Sequence, residues 1–194
     1  MALSPAIFLD KDGTVLQDVP YNVKPAEMRF ASGAAEGLEA LAGLGLPLFI
    51  VSNQPGIAFG RFDFRDLRRM FRHLRGMFKE VGAELTACYF CPHHPDGRVT
   101  AYAKPCDCRK PAAGMLLRAA QKHQLDLSAS WMIGDILHDV EAGRRAGCST
   151  VLIDNGNETE WQMSPWREPH HKVADLAQAA RVVVESVCKV REVV

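Results

Sequence analysis

The chain has 194 residues, of which 47% are hydrophobic and 24% charged, values typical of one well-packed soluble domain. Lysine plus arginine equals aspartate plus glutamate at 23 each, so no overall field attracts nucleic acid or an anionic membrane. The first residues lack the pattern of a secretory signal, and no apolar run approaches the length of a membrane span. We therefore expect a cytoplasmic protein with a single domain, residues 1–194, that acts on a small molecule.

Five short apolar runs predict buried strands, at residues 6–9, 46–51, 86–90, 131–133 and 150–153. Between them lie amphipathic helical patterns, at residues 32–45, 64–81, 112–123 and 139–146, and a loop and closing helix follow. Ser32 is expected to cap the first helix. This alternation predicts a doubly wound α/β fold around a parallel sheet. Only about twenty residues separate the first strand from the first helix, which leaves no room for a separate cap domain.

Polar motifs follow the predicted strands directly. In chain order they are DKDGT, SNQPGIAFG, CPHHP with CDCRKP, and GDILHD. Because the carboxyl ends of parallel strands meet at one edge of a sheet, these motifs are expected to converge on one site.

The first motif places Asp10 and Asp12 around Lys11, which we expect to point away from the site. An Asp-Gly turn is the simplest interpretation of the motif taken alone. That interpretation is weakened by the last motif, where Asp135 and Asp139 follow another strand and, with the first pair, supply enough oxygen ligands for Mg²⁺. On such a site Asp10 could attack a phosphate ester as nucleophile, and Asp12 could transfer protons.

Three further residues fit the binding of a phosphoryl group. Ser52 can donate its hydroxyl to a phosphoryl oxygen, and Lys110 supplies a fixed positive charge. Arg109 beside it can bind a second anionic group of the substrate. Taken alone, the dipeptide also fits a solvated basic pair.

The cysteine-rich segment at residues 91–108 predicts a structural zinc site. Cys91 and His93 stand at one end of a loop and Cys106 and Cys108 at the other, which makes a complete tetrahedral set of three thiolates and one imidazole. His94 is interpreted as a neighbour of the site. The other cysteines are expected to be buried thiols: Cys88, Cys148 and Cys188.

DKDGT, SNQ, RKP and GDILHD, in this order on an α/β chain, resemble the four motifs of the haloacid dehalogenase (HAD) superfamily of phosphohydrolases. The resemblance covers about residues 7–152. It implies Asp10 as nucleophile and Asp12 as general acid/base, with Ser52 and Lys110 stabilising the phosphoryl group. It also implies that Asp12 reaches Mg²⁺ through its backbone carbonyl, and that Asp139 supports Asp135 rather than binding the metal.

The zinc loop is similar to that of a subgroup whose members act on heptose 1,7-bisphosphate or on histidinol phosphate. The twelve residues between His93 and Cys106 favour the heptose substrate and its 7-phosphate, within the heptose biosynthesis that serves lipopolysaccharide. In that interpretation Asp18 and Tyr21 line the sugar site. Further substrate contacts are expected from three residues: Asn53, Gln54 and Arg109.

Three residues depart from the subgroup pattern, so alternatives to the heptose substrate are retained. Val19 and Pro20 replace more polar residues, and Ile136 stands where a lysine often follows the Gly-Asp pair. The alternatives are a histidinol-phosphate phosphatase, a phosphatase for another small sugar phosphate, and a non-catalytic zinc-binding interaction module. We expect a monomer, because the sequence leaves no apolar surface stripe over.

Overall fold

The computed structural model describes residues 3–192 of the chain, without the side chains of residues 190–192. Six strands form one parallel sheet in the order β3-β2-β1-β4-β5-β6. The strands are β1 Ile7–Leu9, β2 Leu48–Asn53, β3 Leu85–Cys91, β4 Trp131–Gly134, β5 Ser149–Ile153 and β6 His171–Val173. The helices are α1 Ala34–Ala42, α2 Phe64–Glu80, α3 Gly114–His123, α4 Leu137–Ala146 and α5 Leu176–Glu192. The doubly wound α/β prediction is confirmed.

Helices cover both faces of the sheet, which explains why its four central strands, β1, β2, β4 and β5, are mostly apolar and buried. Alternate strand residues point to opposite faces, so Ile7 and Leu9 join a core cluster with α1, α2 and α5. Phe8 points the other way, into a second cluster with α3. The sheet is thereby buried on both sides, and the open edge at the carboxyl ends of its strands is left for polar chemistry.

No separate cap domain interrupts the described residues, as the sequence predicted. The segment between β1 and α1 contains only a short 3-10 turn, Pro25–Glu27, and the segment between β2 and β3 contains α2. Within residues 3–192, no helix combines the length and the apolar character needed to cross a membrane.

Four expectations about local structure are wrong. Helix α1 is capped by Gly33 in a left-handed conformation with no side-chain bond, and not by Ser32, because a side-chain cap requires extended backbone. Strand β6 escaped prediction because its three residues are largely exposed and pair with β5 alone. Cys188 lies exposed on α5, and Cys88 is only partly buried, whereas Cys148 is buried.

Candidate active site

The polar motifs converge at the carboxyl edge of the sheet, around a cavity of about 230 Å³. The loops after β1, β4 and β5 contribute to its wall, as do the last two residues of β2 and the segment that leads into α3. The lining residues are Asp10, Asp12, Asp18, Ser52, Asn53, Lys110, Asp135, Ile136 and Asn157. Residues up to 147 positions apart in sequence are thus neighbours here because parallel strands end at the same edge.

Lys110 lies at the centre of the site and is buried. Its Nζ is 2.5 Å from Oδ1 of Asp10 and 2.5 Å from Oδ1 of Asp139, and it donates to the carbonyl of Val51 at 2.9 Å. Burial by itself would lower the pKa of this lysine, but the two carboxylates outweigh burial and raise it. The ammonium is therefore a fixed positive charge at the edge of the sheet.

Asn53 fixes the backbone of Lys110. The Lys110 amide donates to Oδ1 of Asn53 at 2.9 Å, and Nδ2 of Asn53 donates to the Lys110 carbonyl at 3.0 Å. Asn53 ends β2, so this pair of hydrogen bonds ties Lys110, two residues beyond the cysteine-rich loop, to a strand of the sheet. The contact positions the lysine across 57 residues of sequence.

Three carboxylates form a compact acidic group. One oxygen each from Asp10, Asp135 and Asp139 lies within 4.8 Å of the others, and all three residues are buried. Burial, followed by the charges of Asp10 and Asp139, raises the pKa of Asp135 to about 8. Burial likewise raises the pKa of Asp139 to about 6, against the lowering effect of Lys110.

This acidic group fits a hard divalent cation. Among the described residues, Lys110 is the only cation that contacts any of the three carboxylates, so negative charge remains in excess. Burial is the larger cause of the raised pKa of Asp135, and the charges of Asp10 and Asp139 add to it. Oxygen ligands of this kind suit Mg²⁺, which would relieve the repulsion between them.

Two donors that the sequence interpretation missed hold Asp135. Thr14 donates its hydroxyl to Oδ1 at 3.1 Å, and Nδ2 of Asn157 donates to Oδ2 at 2.8 Å. Gly13 lies beneath this contact at φ 80°, where an added Cβ would stand 1.9 Å from Oδ2 of Asp135. Asn157 follows β5, so the rule that placed the other motifs at this edge could have found it.

Asp12 lies apart from the acidic group and has its own partners. Nζ of Lys11 is 2.7 Å from its Oδ1, so the expectation that Lys11 points away is wrong. Gln54 donates from Nε2 to Oδ2 of Asp12 at 3.2 Å and to the Ser52 hydroxyl at 2.9 Å. Burial raises the pKa of Asp12 to about 6, although Lys11 lowers it. The two aspartates of the first motif therefore occupy different environments.

The residues predicted to contact the remainder of the substrate lie at the wall of the cavity or outside it. Asp18 lines the cavity. Tyr21 is exposed at φ 58°, with the Arg61 guanidinium 5.2 Å from its ring centroid. Arg109 is half-buried and donates to the His93 carbonyl at 3.4 Å. Their contacts with substrate, like those of Asn53 and Gln54, stay predictions.

The cysteine-rich loop gathers the four side chains predicted to bind zinc. The three Sγ–Sγ distances are 3.1 Å between Cys91 and Cys108, 3.3 Å between Cys106 and Cys108, and 3.5 Å between Cys91 and Cys106. Nδ1 of His93 is 3.4 Å from Sγ of Cys108. A tetrahedron with ligands about 2.3 Å from zinc has edges of about 3.8 Å, close to these values. The set is consistent with Zn²⁺.

His94 stands outside this group, as expected. Its Nδ1 accepts a hydrogen bond from the Asp96 amide at 3.2 Å, and its ring lies 4.9 Å from that of Phe59. The cysteine-rich loop ends at Cys108, one residue before Arg109 and two before Lys110. A metal bound there would order the segment that carries both cations into the site.

Comparisons with known proteins agree with this geometry. A family model described as HAD-hydrolase-like matches residues 107–179. The D-glycero-beta-D-manno-heptose-1,7-bisphosphate 7-phosphatase of Photorhabdus laumondii is 40% identical over 153 residues, which cover 78% of this chain and 81% of the relative. The protein of the same name from Escherichia coli K12 is 35% identical over 186 residues, covering 91% and 94%.

A solved structure extends the likeness to the fold and the cofactor. The D,D-heptose 1,7-bisphosphate phosphatase from B. bronchiseptica, complexed with magnesium and phosphate, superposes with a TM-score of 0.81 at 29% identity. The match covers 94% of this chain and 99% of the other.

The parallel sheet, the acidic group at its carboxyl edge and the relatives together define a phosphatase without a cap domain. The chain belongs to the HAD-like phosphatases, in the family of the heptose-1,7-bisphosphate 7-phosphatases.

Proposed function

We propose that this protein removes the 7-phosphate of D-glycero-D-manno-heptose 1,7-bisphosphate through an aspartyl-phosphate intermediate. The observation that carries the proposal is the acidic group of Asp10, Asp135 and Asp139 around the buried ammonium of Lys110, on a chain of this family. A phosphoryl group carries charge that such a site, once it holds a divalent cation, would bind and stabilise.

Asp10 is the proposed nucleophile. It follows β1 directly, and Lys110 fixes one of its oxygens at 2.5 Å. Its carboxylate attacks phosphorus, an Asp10 oxygen–phosphorus bond forms, and the bond from phosphorus to the sugar oxygen breaks. Ser52 and Lys110 line the cavity beside it and would bind the phosphoryl oxygens.

Asp12 is the proposed general acid and base. A pKa raised to about 6 allows it to give a proton to the departing sugar oxygen and then to accept one from water. That water hydrolyses the aspartyl-phosphate and releases inorganic phosphate, which returns Asp10 to its starting state. Gln54 and Lys11 hold the Asp12 carboxylate in place from two sides.

The metal would be held by side-chain oxygens of Asp10 and Asp135 and by the backbone carbonyl of Asp12. Bound Mg²⁺ supplies Lewis-acid polarisation of the phosphoryl group. Asp139 contacts Lys110 with one oxygen and accepts from the Ile136 amide with the other, at 3.3 Å. These contacts favour a supporting role for Asp139.

The substrate is proposed to be compact because loops alone surround the cavity. Asp18 lines it, and Tyr21 and Arg109 lie on segments that flank it, so these three would contact the sugar and its second phosphate. Both relatives described above are named for the beta anomer, and we propose the same anomer here.

A substrate panel tests the proposal. With Mg²⁺ and zinc-loaded enzyme, phosphate release is measured from both anomers of heptose 1,7-bisphosphate, from fructose 1,6-bisphosphate and from histidinol phosphate. We expect the beta heptose bisphosphate to have the highest kcat/KM, by about tenfold or more. A higher value for histidinol phosphate would establish the alternative phosphatase function.

The variant Asp10→Asn shows whether release comes from this site. Loss of the nucleophile is expected to lower kcat on the order of a thousandfold or more, with zinc content and fold retained. Asp96→Asn, in the exposed part of the zinc loop, is the matched control and should keep full activity. Near wild-type turnover by Asp10→Asn would remove Asp10 as nucleophile, and no release from any substrate would favour the non-catalytic zinc module.

A further inference from the structure

The segment between β5 and β6 reaches back into the site at three points. Nδ2 of Asn155 donates to the Gly13 carbonyl at 2.7 Å, and Nδ2 of Asn157 donates to Asp135 at 2.8 Å. Oε2 of Glu158 accepts from the Leu137 amide, the first residue of α4, at 2.6 Å. Four consecutive residues, 155–158, therefore connect the turn after β1 with the turn after β4.

Asn157 is the centre of these contacts. It lines the cavity, and its amide meets the one carboxylate of the acidic group that has no ammonium within ion-pair distance among the described residues. Thr14 holds the other oxygen of Asp135 at 3.1 Å. With one donor on each oxygen, the plane of the carboxylate is fixed with respect to Asp10.

We propose that Asn157 is a positioning residue for metal binding, which acts by holding Asp135 in the orientation that a divalent cation requires. Asn155 and Glu158 would support it by anchoring the segment on either side. The inference rests on the metal-dependent phosphatase chemistry proposed above, but it does not depend on which sugar is the substrate. Groups that orient a ligand from outside the metal's own coordination shell contribute substantially to metal affinity.

The packing around Gly13 supports a close fit rather than a loose contact. A Cβ on Gly13 would stand 2.4 Å from Nδ2 of Asn157 as well as 1.9 Å from Oδ2 of Asp135. The turn at Gly13, the Asp135 carboxylate and the Asn157 amide are thus in close contact. The Asn157 amide is held where it can meet Asp135 in the folded protein.

The test measures metal binding without substrate. Zinc-loaded enzyme freed of Mg²⁺ is titrated with Mn²⁺, and bound ion is followed by electron paramagnetic resonance. Asn157→Leu removes the donor at nearly constant size, and we expect the Mn²⁺ dissociation constant to rise about tenfold or more. Thr14→Val, which removes the other donor, should weaken Mn²⁺ binding in the same way.

Two controls separate positioning from a general loss of structure. Gln162→Ala changes an exposed side chain in the same segment and should leave Mn²⁺ affinity unchanged. The urea unfolding midpoint and the zinc content of Asn157→Leu should match wild type, and Asn157→Ala provides a second variant if the leucine does not fold.

The outcomes are distinct. Mn²⁺ binding by the folded Asn157 variants within twofold of wild type would overturn this inference and leave the proposed function intact. Failure of the wild-type protein to bind Mn²⁺ would instead contradict the proposed metal site, and the inference with it.

Discussion

At the scale of single residues, the first motif separates two aspartates by their partners. Asp10 contacts the buried ammonium of Lys110, whereas Asp12 contacts Lys11 and Gln54. Two carboxylates two positions apart in sequence are thus held by different cations. This difference in environment is what allows neighbouring carboxylates to take different roles in one reaction.

Lys11 provides a prediction about the pH dependence of catalysis. Its ammonium lowers the pKa of Asp12, which burial raises to about 6. Lys11→Met removes that opposing effect, so the pKa of Asp12 should rise further. Because Asp12 must be protonated in the free enzyme to give a proton to the departing sugar oxygen, the basic limb of the kcat/KM profile should move to higher pH, by about one unit.

Lys24→Met is the matched control for this experiment. Lys24 also pairs with a carboxylate, that of Glu27 at 2.9 Å, but both side chains are exposed. Its loss should leave the profile unchanged, since exposed pairs are screened by solvent. A basic limb that stays in place in folded Lys11→Met would contradict the role assigned to Lys11.

At the scale of elements, Gly37 of α1 lies close to the backbone of α5. A Cβ on Gly37 would lie 2.6 Å from the carbonyl oxygen of Leu176, the first residue of α5. The backbone of Leu176 cannot move aside there as the end of a flexible side chain could. A glycine that seems unfavourable within a helix is therefore explained by its tertiary contact.

Gly37→Ala is expected to destabilise the protein. Overpacking against backbone costs about 1–3 kcal/mol, which outweighs the gain in helix propensity of about 1 kcal/mol. Gly76→Ala in α2 is the matched control, since nothing lies within 4 Å of its added Cβ, and it should stabilise by about 0.5–1 kcal/mol. Urea unfolding measures both, and equal stability of the two variants would contradict the proposed contact.

At the scale of the whole molecule, the acidic group makes stability depend on pH and metal. Asp135 has a pKa of about 8 in the folded protein and an ordinary value of 3.8, so between these values the folded state binds a proton that the unfolded state has lost. Stability therefore falls as pH rises through this range and stops falling above about pH 8. Three histidines have lowered pKa values in the folded protein: His93, His138 and His170. In the unfolded chain they lose their protons near pH 6.5, so their effect on stability is mostly complete at that pH. Above it, Asp135 is the main cause of the change in stability with pH.

The prediction concerns zinc-loaded protein freed of Mg²⁺. Its unfolding temperature should fall by about 2–4 °C between pH 7 and pH 8.5. Asp135 loses its proton over about one pH unit of this range, and the free energy that this represents shifts the unfolding temperature by that amount in a chain of this size. Saturating Mg²⁺ should stabilise more at pH 8.5 than at pH 7, because the cation binds ionised Asp135. Asp135→Asn should lose the pH dependence, and a fall in that variant as large as in the wild type would contradict the assignment.

Exposed apolar side chains between β5 and β6 concern the prediction that the protein is a monomer. Three large apolar side chains within residues 161–166 are exposed: Trp161, Met163 and Trp166, at 46%, 55% and 47%. The sequence argument that no apolar surface is left over is therefore wrong in its reason, although the monomer itself stays a prediction. The Arg145 guanidinium lies 5.2 Å from the Trp166 ring centroid, so part of this surface is covered by charge.

The sequence by itself determined the first five strands, the sheet edge that carries the chemistry and the four zinc-type ligands. Apolar runs, helical periodicity and close ligand spacing are local patterns, and parallel topology converts them into one site. The sequence could not determine what Lys11 contacts or why Gly37 is a glycine. Nor could it assign Asn157 to Asp135, because a loop of polar residues carries no periodicity. Those contacts join distant parts of the chain, and only the packed structure decides which partners meet.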